Sequence, residues 1–276
     1  MLSKHATSHL IMPDVDFGYT QAMKISYELN PPKIVKGERF NLAQLNADME
    51  AMAGRASQLS GLVSGIHLTD SVLGIPRVSS VTAAGYIKGR LDAGSLSCSV
   101  RVRDRNFTSL CQTVSDAIMT GVDSMLVLMG DDPADGPSDS GLRPSAAVKM
   151  LRKEGYSSNI KLDLSFPAKV HDRSAKSIQS KLEAKPHSFV TQSISSLSDL
   201  GEIVDLAKPY GIKVAAVVMV PAEKNRHSAS IIGLDWSEYE KDPADFVRQT
   251  AKIADRVLLT SPNSFGSGLE LLRQLK

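Results

Sequence analysis

Several polar clusters have the residue types and spacing that chemistry requires. Glu28 follows Ile25-Ser26-Tyr27 and precedes the rigid pair Pro31-Pro32. A carboxylate held there would keep a fixed geometry, and partial burial would raise its pKa toward the working range of a general acid. The alternative is a solvated residue at a strand end. Further on, Gly130 stands where a backbone must approach something closely, followed by Asp131 and Asp132 ahead of Pro133. An acid there would bond the N–H edge of a planar heterocycle, or cap the next turn. Gln192 closes the run Phe189-Val190-Thr191 with an amide that suits two-point recognition of a ring such as a pterin, or that satisfies backbone groups at a rim. Ser99, Arg101 and Arg103 share one face of an extended segment, and Arg105 follows. They would face a phosphate or carboxylate, or form structural ion pairs with Asp70, Asp104 or Asp131. His67, His171, His187 and His227 show no ligand spacing, so no metal site is expected.

The elements that must position these groups follow from apolar periodicity. Short β-branched runs at 24–28, 63–69, 97–102, 124–129, 160–165, 187–192, 213–220 and 256–260 alternate with helical patterns at 42–59, 80–92, 107–120, 144–154, 174–184, 197–209, 243–254 and 265–275. Eight strands, each followed by a helix, predict a single (β/α)8 TIM barrel. An open doubly wound sheet would share the alternation. It usually carries a Gly-rich phosphate turn after its first strand, and here Leu29-Asn30-Pro31-Pro32 stands in that place. Residues 1–20 are expected to form an N-terminal arm and 21–276 the barrel, whose polar strand ends would converge at one mouth. The stretch 222–242, with Lys224, Asn225, Arg226 and Trp236, is a long connection that would close over a substrate or lie as a solvated loop.

Composition narrows the partners. The 276 residues are 42% hydrophobic and 22% charged, which is enough for a substantial core. Thirty-two basic against 30 acidic side chains leave +2, so no global field draws the chain to nucleic acid or an anionic membrane. No run approaches the roughly 18 apolar residues of a membrane span. The two cysteines, Cys98 and Cys111, form no CxxC pair. These features predict a soluble cytoplasmic protein with a small-molecule partner, and leave a homo-oligomer open.

Glu28 with Pro31-Pro32, the run Val102-Arg103-Asp104-Arg105-Asn106, the run Leu128-Met129-Gly130-Asp131-Asp132-Pro133 and the run Phe189-Val190-Thr191-Gln192 occur in one order and at consistent spacings. Together they resemble the methylenetetrahydrofolate reductase family, over nearly the whole chain from residue 24. The resemblance implies an oxidoreductase in which NADH or NADPH reduces FAD and the flavin passes hydride to 5,10-methylenetetrahydrofolate, giving 5-methyltetrahydrofolate. On that likeness Glu28 would be the acid that opens the five-membered ring, Asp131 would contact the pterin and tune the flavin, and Gln192 would hold the pterin. Thr69, Gly130 and Lys181 match flavin contacts. The chain departs from the family pattern with Met129 for an arginine, Ser99 for a histidine, and Phe166 for a tyrosine ahead of a differently spaced His171; these positions would also touch the cofactor. Direct hydride transfer from NADH without flavin, a pterin-dependent methyl or methylene transferase, and a non-catalytic folate-binding subunit are the alternatives.

Overall fold

The alternation resolves into eight parallel strands: β1 (Ile25–Leu29), β2 (Gly65–Leu68), β3 (Ser95–Arg101), β4 (Ser124–Leu128), β5 (Lys161–Phe166), β6 (Ser188–Ser193), β7 (Lys213–Met219) and β8 (Arg256–Thr260). They pair in chain order and close through β1 and β8, with Ile25 opposite Val257 and Tyr27 opposite Leu259. The architecture is therefore the expected single (β/α)8 barrel. The computed structural model describes residues 23–35, 39–91, 94–132 and 139–276; the expected arm at 1–20 and Pro133 lie outside the described residues.

The outer ring consists of α1 (Leu42–Leu59), α2 (Ser80–Lys88), α3 (Phe107–Thr120), α4 (Pro144–Lys153), α5 (Ala175–Glu183), α6 (Leu197–Ala207), α7 (Arg226–Ile231), α8 (Pro243–Ile253) and α9 (Phe265–Gln274). Local chemistry sets several of their ends. Asn41 and Asn106 accept the N–H groups of Gln44 and Ser109 at 3.1 and 2.9 Å, capping α1 and α3. Pro144 and Pro243 start α4 and α8, where the missing N–H leaves no helical bond unmade. Gly121 ends α3 in the left-handed region at φ 75°.

Strand alternation divides the side chains between two compartments. Outward residues such as Ile66, Leu68, Val100, Leu164 and Phe189 pack under the helices in the main core. The inward residues make a lumen of two characters. Leu126, Leu128, Val190, Ala215, Val217 and Leu258 form a separate apolar cluster on the β4 and β6–β8 side. The β1–β3 side instead carries Ser26, Glu28, His67, Ser97, Ser99 and Arg101. A lumen half filled with polar side chains is unusual in a fold whose interior is generally packed with branched apolar residues.

The long connection at 222–242 is anchored by a few buried side chains, while most of its residues are exposed. It contains α7, and Trp236 and Tyr239 are only 6% and 2% exposed. The Tyr239 hydroxyl donates to the Met219 carbonyl at 3.0 Å and its ring stacks on Phe246 at 4.2 Å. Fully buried Asn225 donates to both Val220 O and Ser261 Oγ at 2.9 Å and accepts from the Asn263 N–H, tying the β7 loop to the β8 loop. Among the described residues, no helix is long and apolar enough to cross a membrane.

Candidate active site

Glu28 is the fourth residue of β1 and shares the lumen face with Ser26. The Thr260 hydroxyl, on the neighbouring β8, donates to Glu28 Oε1 at 2.7 Å. Oε2 has no partner among the described residues and is not sealed from solvent. Desolvation raises the pKa of this carboxyl above its ordinary value, and the Thr260 hydrogen bond only partly offsets it. The group is therefore a carboxylic acid biased toward its protonated form at the end of the barrel where loops converge.

His67 pairs with Glu28 across the β1–β2 register. Its two ring nitrogens are bridged to Ser97 Oγ at 2.9 Å and Ser99 Oγ at 2.8 Å, and burial pushes its pKa down to about 3, with Arg256 contributing. It is a neutral imidazole whose hydrogen-bonding capacity is spent on two serines. In sequence it reads as a lone histidine; its signal was the pair of serines two residues apart on the next strand. Thr260 was also legible only through barrel closure, which places the last residue of β8 beside β1.

The loops above this acid are held by short polar ties. Thr69 donates to Asn30 Oδ1 at 2.7 Å. Asp70 accepts the Arg101 N–H at 3.0 Å and Arg105 Nη1 at 2.8 Å. Arg101 Nη2 reaches Asp104 at 2.5 Å, and Arg103 bonds Gly130 O at 2.9 Å and Asp132 at 2.5 Å. The arginine run is thus a set of structural ion pairs, the second of the two readings its sequence allowed. After β2 the chain passes through left-handed Ser71 at φ 44° and Leu73 at φ 59°. Such conformations cost about 1–3 kcal/mol each in non-glycine residues, so something must hold them. Asp131 does so by accepting the Leu73 N–H at 2.7 Å.

Gly130 itself sits at φ 83°, and a Cβ there would lie 2.7 Å from Arg101 Cβ. Gly130→Ala is expected to destabilise the chain by about 1–3 kcal/mol, through strain at positive φ and displacement of Arg101. Urea unfolding monitored by circular dichroism measures this, and an unchanged midpoint would mean that the turn relaxes freely.

The remaining expected positions lie on β4 to β6, their loops and α5. Gln192 is exposed at the end of β6, beside a register shift between Val190 and Ser193. Met129 lies at the rim with Arg143 Nη1 3.8 Å from its sulfur. Phe166 faces outward, 1% exposed, against Phe189 at 4.4 Å. His171 is 86% exposed, with Nε2 3.6 Å from Glu202. Lys181, on α5, donates to Ser165 O at 2.6 Å from between helix and strand. Its burial, and secondarily Arg173, lower its pKa to about 8. Among the described residues no group of three or more His, Cys, Asp or Glu side chains could hold a metal ion.

No protein-family model matches the chain, and no curated protein matches it. Among solved structures it is similar to deoxyribose phosphate aldolase from Aeropyrum pernix, with 13% identity, 92% of each chain covered and a TM-score of 0.56. It is also similar to a putative deoxyribose-phosphate aldolase from Coccidioides immitis, with 10% identity, 92% of this chain and 84% of that one covered, and a TM-score of 0.52. The tryptophan synthase α-subunit from Pyrococcus furiosus gives 10% identity over 91% of this chain and 96% of that one, with a TM-score of 0.53. At such identities the likeness defines a (β/α)8 barrel and no more.

These findings correct the expectation drawn from the strand-end motifs. The barrels this chain resembles are aldolases and tryptophan synthase α-subunits, not methylenetetrahydrofolate reductases, and no family or curated match restores that assignment. The oxidoreductase reading falls with it, as do FAD, NADH and NADPH, the folate substrate, and the transferase and folate-binding-subunit alternatives. The physical reason lies in what the motif residues do. Thr69, Ser99, Gly130, Asp131 and Lys181 are bonded within the chain, Phe166 packs outward against Phe189, and His171 is exposed beside Glu202. Short polar residues at strand ends tie loops together in a barrel of any chemistry, so their order and spacing carried the fold rather than the cofactor.

Proposed function

We propose that this protein is a lyase of the aldolase type, in which Glu28 transfers the proton at a carbonyl oxygen as a carbon–carbon bond forms or breaks. One arrangement carries the reading: the Glu28 carboxyl, its pKa raised by desolvation, has Oε1 fixed by Thr260 and Oε2 open to the lumen. In the direction of addition, the Oε2–H donates its proton to the aldehyde oxygen as a carbanion equivalent attacks the carbonyl carbon. In cleavage, the carboxylate takes the proton of the β-hydroxyl, the C–C bond breaks, the aldehyde leaves, and the electron pair passes into the other fragment's carbonyl as an enolate, which takes the proton back from Glu28. The apolar wall of Leu126, Val190 and Leu258 would keep water from that carbanion equivalent. The aldolases among the similar barrels support the reaction class, although at their identities they support no residue role.

Gln192, exposed at the end of β6 with no amide partner among the described residues, is the residue we assign to binding a substrate carbonyl or hydroxyl. Asp131 acts as a positioning residue, through the Leu73 loop that it holds. Free Cys98 and Cys111 support a reducing, cytoplasmic setting, and the tetrameric aldolase among the similar barrels supports testing for a homo-oligomer.

An amine that forms a Schiff base with the substrate is the competing chemistry for such a lyase. Among the described residues no strand carries a lysine near its C-terminal end; Lys161 and Lys213 begin β5 and β7 at the opposite mouth. Lys181 favours the competitor by its lowered pKa, but its Nζ is engaged by Ser165 O at 2.6 Å. The probe is 2-deoxyribose 5-phosphate with sodium borohydride. Aldehyde release without a borohydride-trapped mass adduct is expected, whereas an adduct mapped to Lys181 would replace the acid–base reading.

A further inference from the structure

The mouth at the N-terminal ends of the strands opens into a cavity of about 1140 Å³, larger than a typical ligand pocket of roughly 300–1,000 Å³. Its charges do not cancel. Seven basic side chains line it against three acidic ones, and each acidic group is also tied to a donor within the chain. Asp123 accepts the Leu96 N–H at 2.8 Å, Asp255 the Val214 N–H at 2.8 Å, and Asp163 the Ser188 hydroxyl at 2.7 Å. Lys24, Lys161 and Lys213 line the same cavity with no carboxylate partner among the described residues, and Arg256 stands 3.8 Å from Asp163, beyond a tight ion pair. Convergence of these cations is visible at His187. Burial is the largest influence lowering its pKa, and Lys213, Lys161 and Arg256 push it further down against the opposing pull of Asp163.

The floor of the cavity supplies a second, independent feature. Ser26 and Ser124 are each 4% exposed, line the cavity, and have hydroxyls with no hydrogen-bond partner among the described residues. A hydroxyl buried in a barrel lumen normally finds a protein partner, as the Ser97, Ser99 and Ser188 hydroxyls do here. Those two instead face the basic chamber. Unpaired ammonium groups around unpartnered hydroxyl donors form a receptor for a compact multivalent anion.

We propose that the N-terminal mouth is a binding site for a phosphorylated small molecule, distinct from the Glu28 chamber at the other end of the barrel. Lys161, Lys213 and Arg256 meet the phosphate charge, and the Ser26 and Ser124 hydroxyls bond its oxygens. No Phe, Tyr or Trp lines the cavity among the described residues, so charge and hydroxyl donors, rather than ring stacking, select the ligand.

Isothermal titration of the full chain with inorganic pyrophosphate at low ionic strength tests the proposal. Saturable one-site binding is expected, weakening as salt is added. The paired substitution Lys161→Gln and Lys213→Gln, at exposed positions that open two strands, should weaken it by about tenfold or more. Ser124→Ala should weaken it by a smaller factor, and Glu28→Gln should bind as the unaltered chain does. Absence of saturable binding, equal affinity in the paired lysine variant, or loss of binding in Glu28→Gln would each overturn the assignment. The last outcome would move the anion to the opposite mouth, while failure of the lyase reading would leave this titration unchanged.

Discussion

Glu28→Gln should cut lyase turnover by about 10²–10⁴-fold, the range over which a positioned general acid contributes. Glutamine keeps the shape of the side chain and can still accept the Thr260 hydroxyl, so the lumen geometry survives while the transferable proton is lost. Substrate affinity should change little, because Gln192 and the loop held by Asp131 are untouched. The loss should therefore appear in kcat rather than KM. A stability effect of opposite sign accompanies it. In the unfolded chain the carboxyl titrates near 4.5, and in the fold it titrates above that value. Between the two values the native state keeps a proton that the unfolded chain has lost, so stability falls as pH rises through this window, and the deficit is complete above the folded value. Glu28→Gln removes that dependence. Its melting temperature should exceed that of the unaltered chain at pH 8, and the difference should shrink below pH 4.5. Equal melting temperatures across this range would mean that Glu28 is ionised in the fold.

Asp70→Ala should cost about 3 kcal/mol of folding stability, which lowers Tm by roughly 6–10 °C for a chain of this size. The Asp70 side chain is 5% exposed and takes two donors, the Arg101 N–H and the Arg105 guanidinium. Its removal leaves a buried N–H without a partner and a partly buried cation with only Arg101 O at 2.8 Å and Asp104 at 3.6 Å. The damage should stay local to the junction of β2 and β3, where Asp70 links the strand ends above the neutral His67. Thermal unfolding of the variant measures the loss. A change within about 0.5 kcal/mol, the range of ordinary surface substitutions, would show that solvent replaces the carboxylate at no cost.

The barrel was legible because its signals are local. Each outward strand face is a short apolar run, and most of the described helices open on a side-chain cap or proline, such as Asn41, Asn106 and Pro243. The eight strands fall within a few residues of their expected positions. Glu28 was legible for a related reason, since its place near the end of β1 fixes it at a mouth. What depends on contacts between distant segments was not. Asp70 and Asp104 stood among the ion-pair partners open to Arg101–Arg105, but nothing local to Arg103 says that Asp132, rather than Asp131, meets its guanidinium. Trp236 looked available for a ligand because its burial is a tertiary fact. The family resemblance misled for the same reason: matching residue types at matching spacings left open whether each side chain faced a ligand or its own backbone. The basic mouth did leave a trace, a lysine at the first residue of both β5 and β7, whose meaning emerges only once the strands lie side by side.

The protonation state of Glu28 tests the account most directly. A carbon-13 NMR titration of the side-chain carboxyls, with the Glu28 resonance assigned by its absence in Glu28→Gln, reads it without any assumption about substrate. The account predicts a carboxyl that titrates clearly above 4.5 and whose pKa rises further in Thr260→Val, where the stabilising hydrogen bond is gone. A carboxyl that ionises at or below 4.5 would contradict it, and Glu28 would then be a carboxylate with no proton to give.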